Sequence, residues 1–399
     1  MSEVYVVDAV RSPIGKYGGA LANTRPDDLL AIVISALVER NSSIDINEIE
    51  DVIAGCANQA GEDNRNVARM SALLAGLPVT VGGNTVNRLC ASGLQAIMDA
   101  SRAVNNNEGK IYIAGGVESM SRAPFVMSKA EGAFSRKAEI FDSTIGWRFI
   151  NKKLSAMYHP YSMGETAENV AKQWKISREE QDQFALESQQ KYGAAYEAGK
   201  WADEIIPIEI TPNKDGQVIF DKDEHPRQTS IEKLSQLKPA FAKDGTVTAG
   251  NSSGINDGAG AILIVNKQRL IDFNLKPIAR VVSMAVSGVD PSIMGIGPIT
   301  ASQKALSRAG LRVGDIDLIE LNEAFASQSL ACIKELGLDQ NKVNVNGGSI
   351  AIGHPLGASG IRISTTLLHE MKRNKMKYGL ATMCVGVGQG AAIVYENLL

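Results

Sequence analysis

Asn87-Arg88-Leu89-Cys90-Ala91-Ser92-Gly93 places one cysteine where an extended apolar run, ending at Thr85 and Val86, gives way to a helix. Residues 91–104 carry Leu94, Ile97, Met98 and Ala100 near the spacing of one helix face. A cysteine at that junction lies beside unpaired N–H groups and the positive end of a helix dipole, both of which favour its thiolate. A thiol that is mostly protonated at neutral pH becomes a nucleophile in this way. The other reading is a small buried cysteine packed at a strand end.

Outward from this stretch, residues 4–9 read as a strand and 27–40 as an amphipathic helix. Residues 53–55 and 110–117 read as further strands. Strands separated by helices of this length predict βαβ units and a largely parallel sheet. From about 121 to 250 the texture becomes polar, with many methionines and lysines. Within it Ser177-Arg178-Glu179-Glu180 forms a capping box ahead of a helix running to about residue 198. The α/β rhythm resumes over 279–286, a helix at 300–309, a strand at 318–321 and helices at 324–336 and 358–373. Two α/β halves around an inserted segment suggest a duplication, without a residue-level repeat.

The 399 residues are 44% apolar and 21% charged, enough for a well-filled core of two or three domains or one large duplicated unit. A net charge of -3 argues against nucleic-acid binding through a basic field. Cys56, Cys90, Cys332 and Cys384 form no C-x-x-C pair and no disulfide framework, which favours a reducing compartment. The N-terminal residues lack a secretory pattern and no apolar run reaches spanning length, so a cytoplasmic protein without a membrane partner is expected.

Other segments pair glycine with reactive side chains. Asn346-Gly347-Gly348-Ser349-Ile350-Ala351-Ile352-Gly353-His354-Pro355-Leu356-Gly357 allows close backbone approach and places His354 near a helix start. Met383-Cys384-Val385-Gly386-Val387-Gly388-Gln389-Gly390-Ala391 has the glycines of a relaxed dinucleotide fingerprint. It lacks the helix and acidic residue that must follow, which argues against a nicotinamide cofactor. Cys384 is either buried filler or an acid–base thiol, and its neighbours do not choose. Asn322, at a strand-to-helix junction, is read alone as a helix cap. Residues 248–260 read alone as a turn cluster. The four histidines show no metal-ligand spacing, so no metal is assigned.

Together these segments resemble the thiolase family, which cleaves or forms 3-ketoacyl-CoA thioesters. The likeness runs from Asp8-Ala9-Val10-Arg11-Ser12-Pro13 through Gly115-Gly116-Val117-Glu118-Ser119-Met120 to the final glycine turn. It implies two similar βαβαβαββ halves in a five-layered α-β-α-β-α body with an inserted loop domain. The expected division is 1–120 with 251–270, then 121–250, then 271–399. The resemblance also implies roles. Cys90 would be the acylated nucleophile and His354 would take its proton. Cys384 would be acid and base for the second substrate. Asn322 would hold a water that forms one oxyanion hole with His354, and the N–H groups of Cys90 and Gly386 would form the other. Coenzyme A would be a substrate, with no permanent cofactor, contacting Ser253, Phe325 and Met163, with Arg227 at its nucleotide end. Members are usually dimers or tetramers, so a homotetramer, a dimer of dimers, is expected.

Acetoacetyl-specific members usually carry His-Met where this chain has Ser162-Met163, which speaks against that specialism. Residues 55–66, Ala133-Phe134-Ser135-Arg136, Ile145-Gly146-Trp147-Arg148-Phe149 and Val387 look like the 3-oxoadipyl-CoA thiolases of aromatic breakdown. A general fatty 3-ketoacyl-CoA or acetoacetyl-CoA enzyme is the alternative. A decarboxylating ketoacyl synthase would have two histidines with its cysteine. A non-catalytic acyl-CoA or lipid carrier would have lost a catalytic residue.

Overall fold

The computed structural model describes residues 3–210 and 216–398. The first half runs β1 (Val4–Arg11), α1 (Pro26–Arg40), β2 (Ile49–Gly55), α2 (Val67–Leu74), β3 (Gly82–Val86), α3 (Ser92–Asn105), β4 (Ile111–Ser119) and, after a long insertion, β5 (Asn256–Asn266). The insertion holds α4 (Met163–Trp174), α5 (Arg178–Glu197) and two short hairpins. The second half runs β6 (Ala279–Gly288), α6 (Gly297–Ala309), β7 (Leu318–Leu321), α7 (Ala326–Leu336), α8 (Leu356–Asn374), β8 (Tyr378–Val385) and β9 (Gln389–Asn397).

These nine strands form one sheet in the order β3-β2-β4-β5-β1-β6-β9-β8-β7, with Gly15–Lys16 paired to the start of β5. The order outward from the centre is 1-5-4-2-3 in one half and 6-9-8-7 in the other. A single parallel bridge, Ile319 to Val343, takes the place of the missing fifth strand. The duplication is therefore explicit in topology. The largely parallel sheet expected from strand–helix alternation is corrected. Parallel pairing holds for β2 with β3 and β4 and for β7 with β8, while every pair in the middle of the sheet is antiparallel. For β8–β9 the reason is a three-residue turn, which leaves neighbours antiparallel, and β4–β5 keep the same sense although the insertion has opened their connection.

Three large apolar clusters make up most of the core. One packs α1 and α2 on the first half and another packs α6 and α7 on the second. The third draws α3, α8 and strands of both halves together. In α3, Leu94, Ile97 and Met98 are fully buried, each contributing about 1.5–3 kcal/mol of apolar transfer. The backbones of α3 and α8 touch: a Cβ on Gly360 would lie 2.1 Å from the Leu94 nitrogen, and one on Gly93 would lie 2.8 Å from that of Ile361. Glycine is required there by space.

The insertion is anchored by buried charge. Arg11, at the end of β1, pairs with Glu204 at 2.6 Å and Asp223 at 2.7 Å. The Ser177 capping box and the helix after it are present as read. Residues 256–260 of the expected turn cluster lie in β5, so that reading holds only for the residues before them.

Candidate active site

The C-terminal ends of β2, β3 and β4, the loop before α8 and the β8–β9 turn meet on one rim. After β3, Asn87 turns the chain. Its Oδ1 accepts from Leu89 N (2.8 Å), and its Nδ2 donates to Ala57 O (3.0 Å) in the loop after β2. Leu89 takes φ +47°, and Cys90 follows it. Helix α3 starts two residues later, with Ala91 at its cap position and Ser92 Oγ bonding back to Leu89 O.

Cys90 is half-buried. Burial and the Glu118 carboxylate push its thiol up to about 11, against the neighbouring Gly386 and Cys90 backbone N–H groups, which favour the thiolate. The expectation that the helix start makes a resting thiolate is therefore corrected. Cys90 sits outside the first helical turn, and desolvation outweighs the donors. Gly386 comes from the β8–β9 turn of the other half. A Cβ on it would press 3.1 Å from Leu89 Cδ1, with the Met163 sulfur at 3.7 Å. The next residue, Val387, is β-branched at φ +60°. Non-glycine residues in left-handed conformations thus flank both donors, each costing roughly 1–2 kcal/mol.

His354 is buried just before α8. Its Nδ1 lies 2.6 Å from Ser359 Oγ, and that hydroxyl donates its one proton to Pro355 O at 2.9 Å. His354 must then donate from Nδ1, leaving Nε2 unprotonated. Burial, aided by the charge of Arg362, lowers the imidazole from 6.5 to about 3, so it stays neutral. Nε2 faces Asn322 Nδ2 at 3.5 Å. Ser349 Oγ donates to Asn322 Oδ1 (2.6 Å) and accepts from Arg362 Nη2 (2.7 Å), and Arg362 pairs with Glu320 at 3.1 Å. This buried chain turns the Asn322 amide N–H₂ toward the histidine. Asn322 caps no helix, which corrects its reading alone: α7 begins only at Ala326, and its cap position, Phe325, makes no side-chain bond.

Cys384, at the end of β8, is buried in an apolar cluster with Ala324, Phe325, Met294 and Met163. Burial pushes its thiol well above the ordinary value, and the nearby Cys90 sulfur adds to the shift. Both cysteines are therefore protonated at rest. Met163 opens α4, where Ser162 forms a full capping box with Glu165. Ser253 N donates to Ala324 O (3.0 Å), beside the Ser252–Phe325 bridge. Met163, Phe325 and Ser253 are thus brought to the Cys384 side. Arg227 is not part of that cluster. It is exposed, with Nη2 3.4 Å from His225 Nε2, and His225 packs on Gly254.

Sequence reasoning missed Ser349, Ser359, Arg362 and the role of Glu118. Glu118, at the end of β4, accepts from Ala57 N (2.9 Å), Asn58 N (3.0 Å) and Gly357 N (2.7 Å), tying the Cys90 side to the His354 loop. With Cys56 and Asp63 it makes a compact acidic group. Backbone amides engage both carboxylates, since Asp63 accepts from Gln59 N and Gly61 N. Among the described residues no helix is long and apolar enough to cross a membrane.

Comparisons with known proteins agree with this fold. The family descriptions "Thiolase, N-terminal domain" and "Thiolase, C-terminal domain" match residues 4–268 and 275–397. The chain is 55% identical to a beta-ketoadipyl-CoA thiolase of Acinetobacter baylyi, over the full length of both. It is 54% identical to a 3-oxoadipyl-CoA/3-oxo-5,6-dehydrosuberyl-CoA thiolase of Escherichia coli, again over both full lengths. The crystal structure of a Bacillus anthracis acetyl-CoA acetyltransferase superposes with a TM-score of 0.94 at 44% identity, covering 100% of this chain and 99% of that one.

Proposed function

The chain belongs to the thiolase family of acyltransferases, and from that premise we propose that it cleaves 3-oxoadipyl-CoA with coenzyme A to acetyl-CoA and succinyl-CoA, reversibly. The observation that carries the chemistry is the packing of the Gly386 turn on Leu89, where a Cβ on the glycine would lie 3.1 Å from Cδ1, which brings the second half's turn and its cysteine onto the first half's nucleophile loop. The acyl group is taken from the relatives. Beta-ketoadipyl, 3-oxoadipyl and 3-oxo-5,6-dehydrosuberyl all denote acyl chains ending in a second carboxylate.

Neutral His354 accepts the Cys90 proton at Nε2 as the sulfur attacks the keto carbon. The N–H groups of Cys90 and Gly386 hold the oxyanion, each donor contributing about 3 kcal/mol to the barrier. Breaking the C2–C3 bond leaves succinyl on Cys90 and the enolate of acetyl-CoA. The Asn322–His354 pair, through a water held by Asn322, stabilises that enolate oxygen while Cys384 protonates the carbon. Cys384, now a thiolate, deprotonates the incoming coenzyme A. Its sulfur takes the succinyl group, and Cys90 recovers its proton from His354. A thiol suits both halves of this cycle because it attacks and leaves with equal ease. Ser253, Phe325 and Met163 line the coenzyme A path, with Arg227 toward its nucleotide end; coenzyme A is a substrate and no permanent cofactor is invoked.

The deciding measurement is kcat/KM for 3-oxoadipyl-CoA beside acetoacetyl-CoA and 3-ketohexanoyl-CoA. A clear preference for either of the last two would sink the dicarboxylate reading. We carry a cytoplasmic homotetramer with it, supported by the exposed apolar Phe125, Met127, Phe134 and Ile140 of the insertion. Sedimentation of the same preparation at the mass of one 42.6 kDa chain would exclude the assembly.

A further inference from the structure

A second carboxylate on the acyl chain needs a partner, because an unpaired charge carried into a closing site is costly. Among the insertion's arginines, Arg122 is paired to Glu62 and Arg178 to Asp182, while Arg136 and Arg227 are exposed. Arg148 differs from all four. It is half-buried and, among the described residues, has no carboxylate partner; its Nη2 donates to Asn58 Oδ1 at 3.4 Å. Arg88, in the Cys90 loop, directs its donors to Gln95 and Gln389 instead.

The position of Arg148 is built. The turn Gly146–Phe149 has φ +89° at its first residue and +53° at its last. On one side Trp147 Nε1 donates to Tyr161 O at 2.9 Å, just ahead of Ser162 and Met163. On the other, the Phe149 ring packs edge-on against Phe141 at 5.2 Å. Asn58 is fixed as well. Its Nδ2 donates to Ser143 O (3.1 Å), and its N–H goes to Glu118, the residue that joins the Cys90 and His354 loops. Ala57, its neighbour, is the residue that Asn87 grips. The guanidinium therefore stands over the same loop that borders the nucleophile, with donors to spare.

We infer that Arg148, oriented by Asn58, forms the subsite for the distal carboxylate of a dicarboxylic 3-ketoacyl-CoA. This rests on the substrate reading above. A planar guanidinium fits a carboxylate in two parallel bonds, and a lysine at the same place meets it only as a point charge.

The test compares Arg148→Met, Arg148→Lys and the unaltered enzyme on 3-oxoadipyl-CoA and 3-ketohexanoyl-CoA. These substrates share chain length and coenzyme A and differ in the terminal carboxylate. The kcat/KM ratio between them is expected to fall about 10- to 100-fold in Arg148→Met, with partial recovery in Arg148→Lys. Equal losses on both substrates would overturn the inference, because the arginine would then serve coenzyme A or the loop itself. An unchanged ratio in a variant of an enzyme that prefers 3-oxoadipyl-CoA would overturn the inference alone. An unaltered enzyme with no such preference would overturn the substrate reading and this inference with it.

Discussion

The two halves carry the same succession of strands and helices but for one strand reduced to a bridge in the second, and comparison at matched places separates chemistry from choice of substrate. The junction before α3 holds Cys90, and the junction before α8 holds His354. The hairpin β8–β9 closes in the three residues Gly386–Gly388, beside Cys384, whereas the matching hairpin β4–β5 is opened between Ser119 and Asn256 to admit the whole insertion. On the proposed mechanism, the halves supply nucleophile and base where they match, and where they differ one supplies the second thiol and an oxyanion donor while the other supplies residues to meet the rest of the substrate. Reaction and recognition thus occupy different connections of one repeated unit.

The largest effect expected from breaking this division is at the two cysteines. Cys90→Ser should lower thiolysis at least 10³-fold with the fold retained. Cys384→Ser should still acquire an acyl group on Cys90 from acyl-CoA, seen as a mass increase, while turnover falls about 10²- to 10⁴-fold. Failure of Cys384→Ser to become acylated would show that the two thiols do not divide the steps between halves.

The next effect concerns how the matched junctions are held together. In Gly360→Ala the added methyl meets the Leu94 nitrogen, so α8 must shift from α3 and carry His354 from Cys90. A drop of about 10²-fold in kcat is expected. Activity within a few-fold of the original would mean that the helix contact does not set the catalytic distance.

The smallest effect is a titration that should be missing. His354 lies below its ordinary 6.5, at about 3. Its ring signals in NMR should stay those of a neutral Nδ1–H imidazole from about pH 8 to pH 5. Below 6.5 the unfolded chain binds a proton that the folded one refuses, so stability falls as the pH drops from 6.5 toward 3. A midpoint near 6.5 in the free enzyme would contradict the burial argument.

Much of this was legible in the chain. Cys90 and His354 stand in distinctive local settings, Cys384 was singled out only by the thiolase resemblance, and local pattern alone gives the bounds of β7 and places α1 to within one residue. The antiparallel middle of the sheet was not legible, because it depends on which strands meet across long separations. The role of Asn322 was hidden for a similar reason. An asparagine between a strand and a helix favours capping locally, and only Ser349 and Arg362, brought from other elements, turn it to His354. Glu118 acts through backbone N–H groups of Ala57, Asn58 and Gly357 whose proximity no spacing rule encodes, whereas Ser359 bonds the carbonyl four residues before it, a local spacing that the sequence does display. Arg148 is distinguished by the partner it lacks, which a sequence does not display.

The cluster that draws α3 and α8 together contains side chains from strands of both halves. Its consequence concerns the history of the chain. Whatever ancestor was copied, neither descendant can live apart from the other now, because a solitary half would turn one wall of that cluster to water and gather into aggregates. The duplication has become a one-way step, and each copy covers apolar surface that the other would expose.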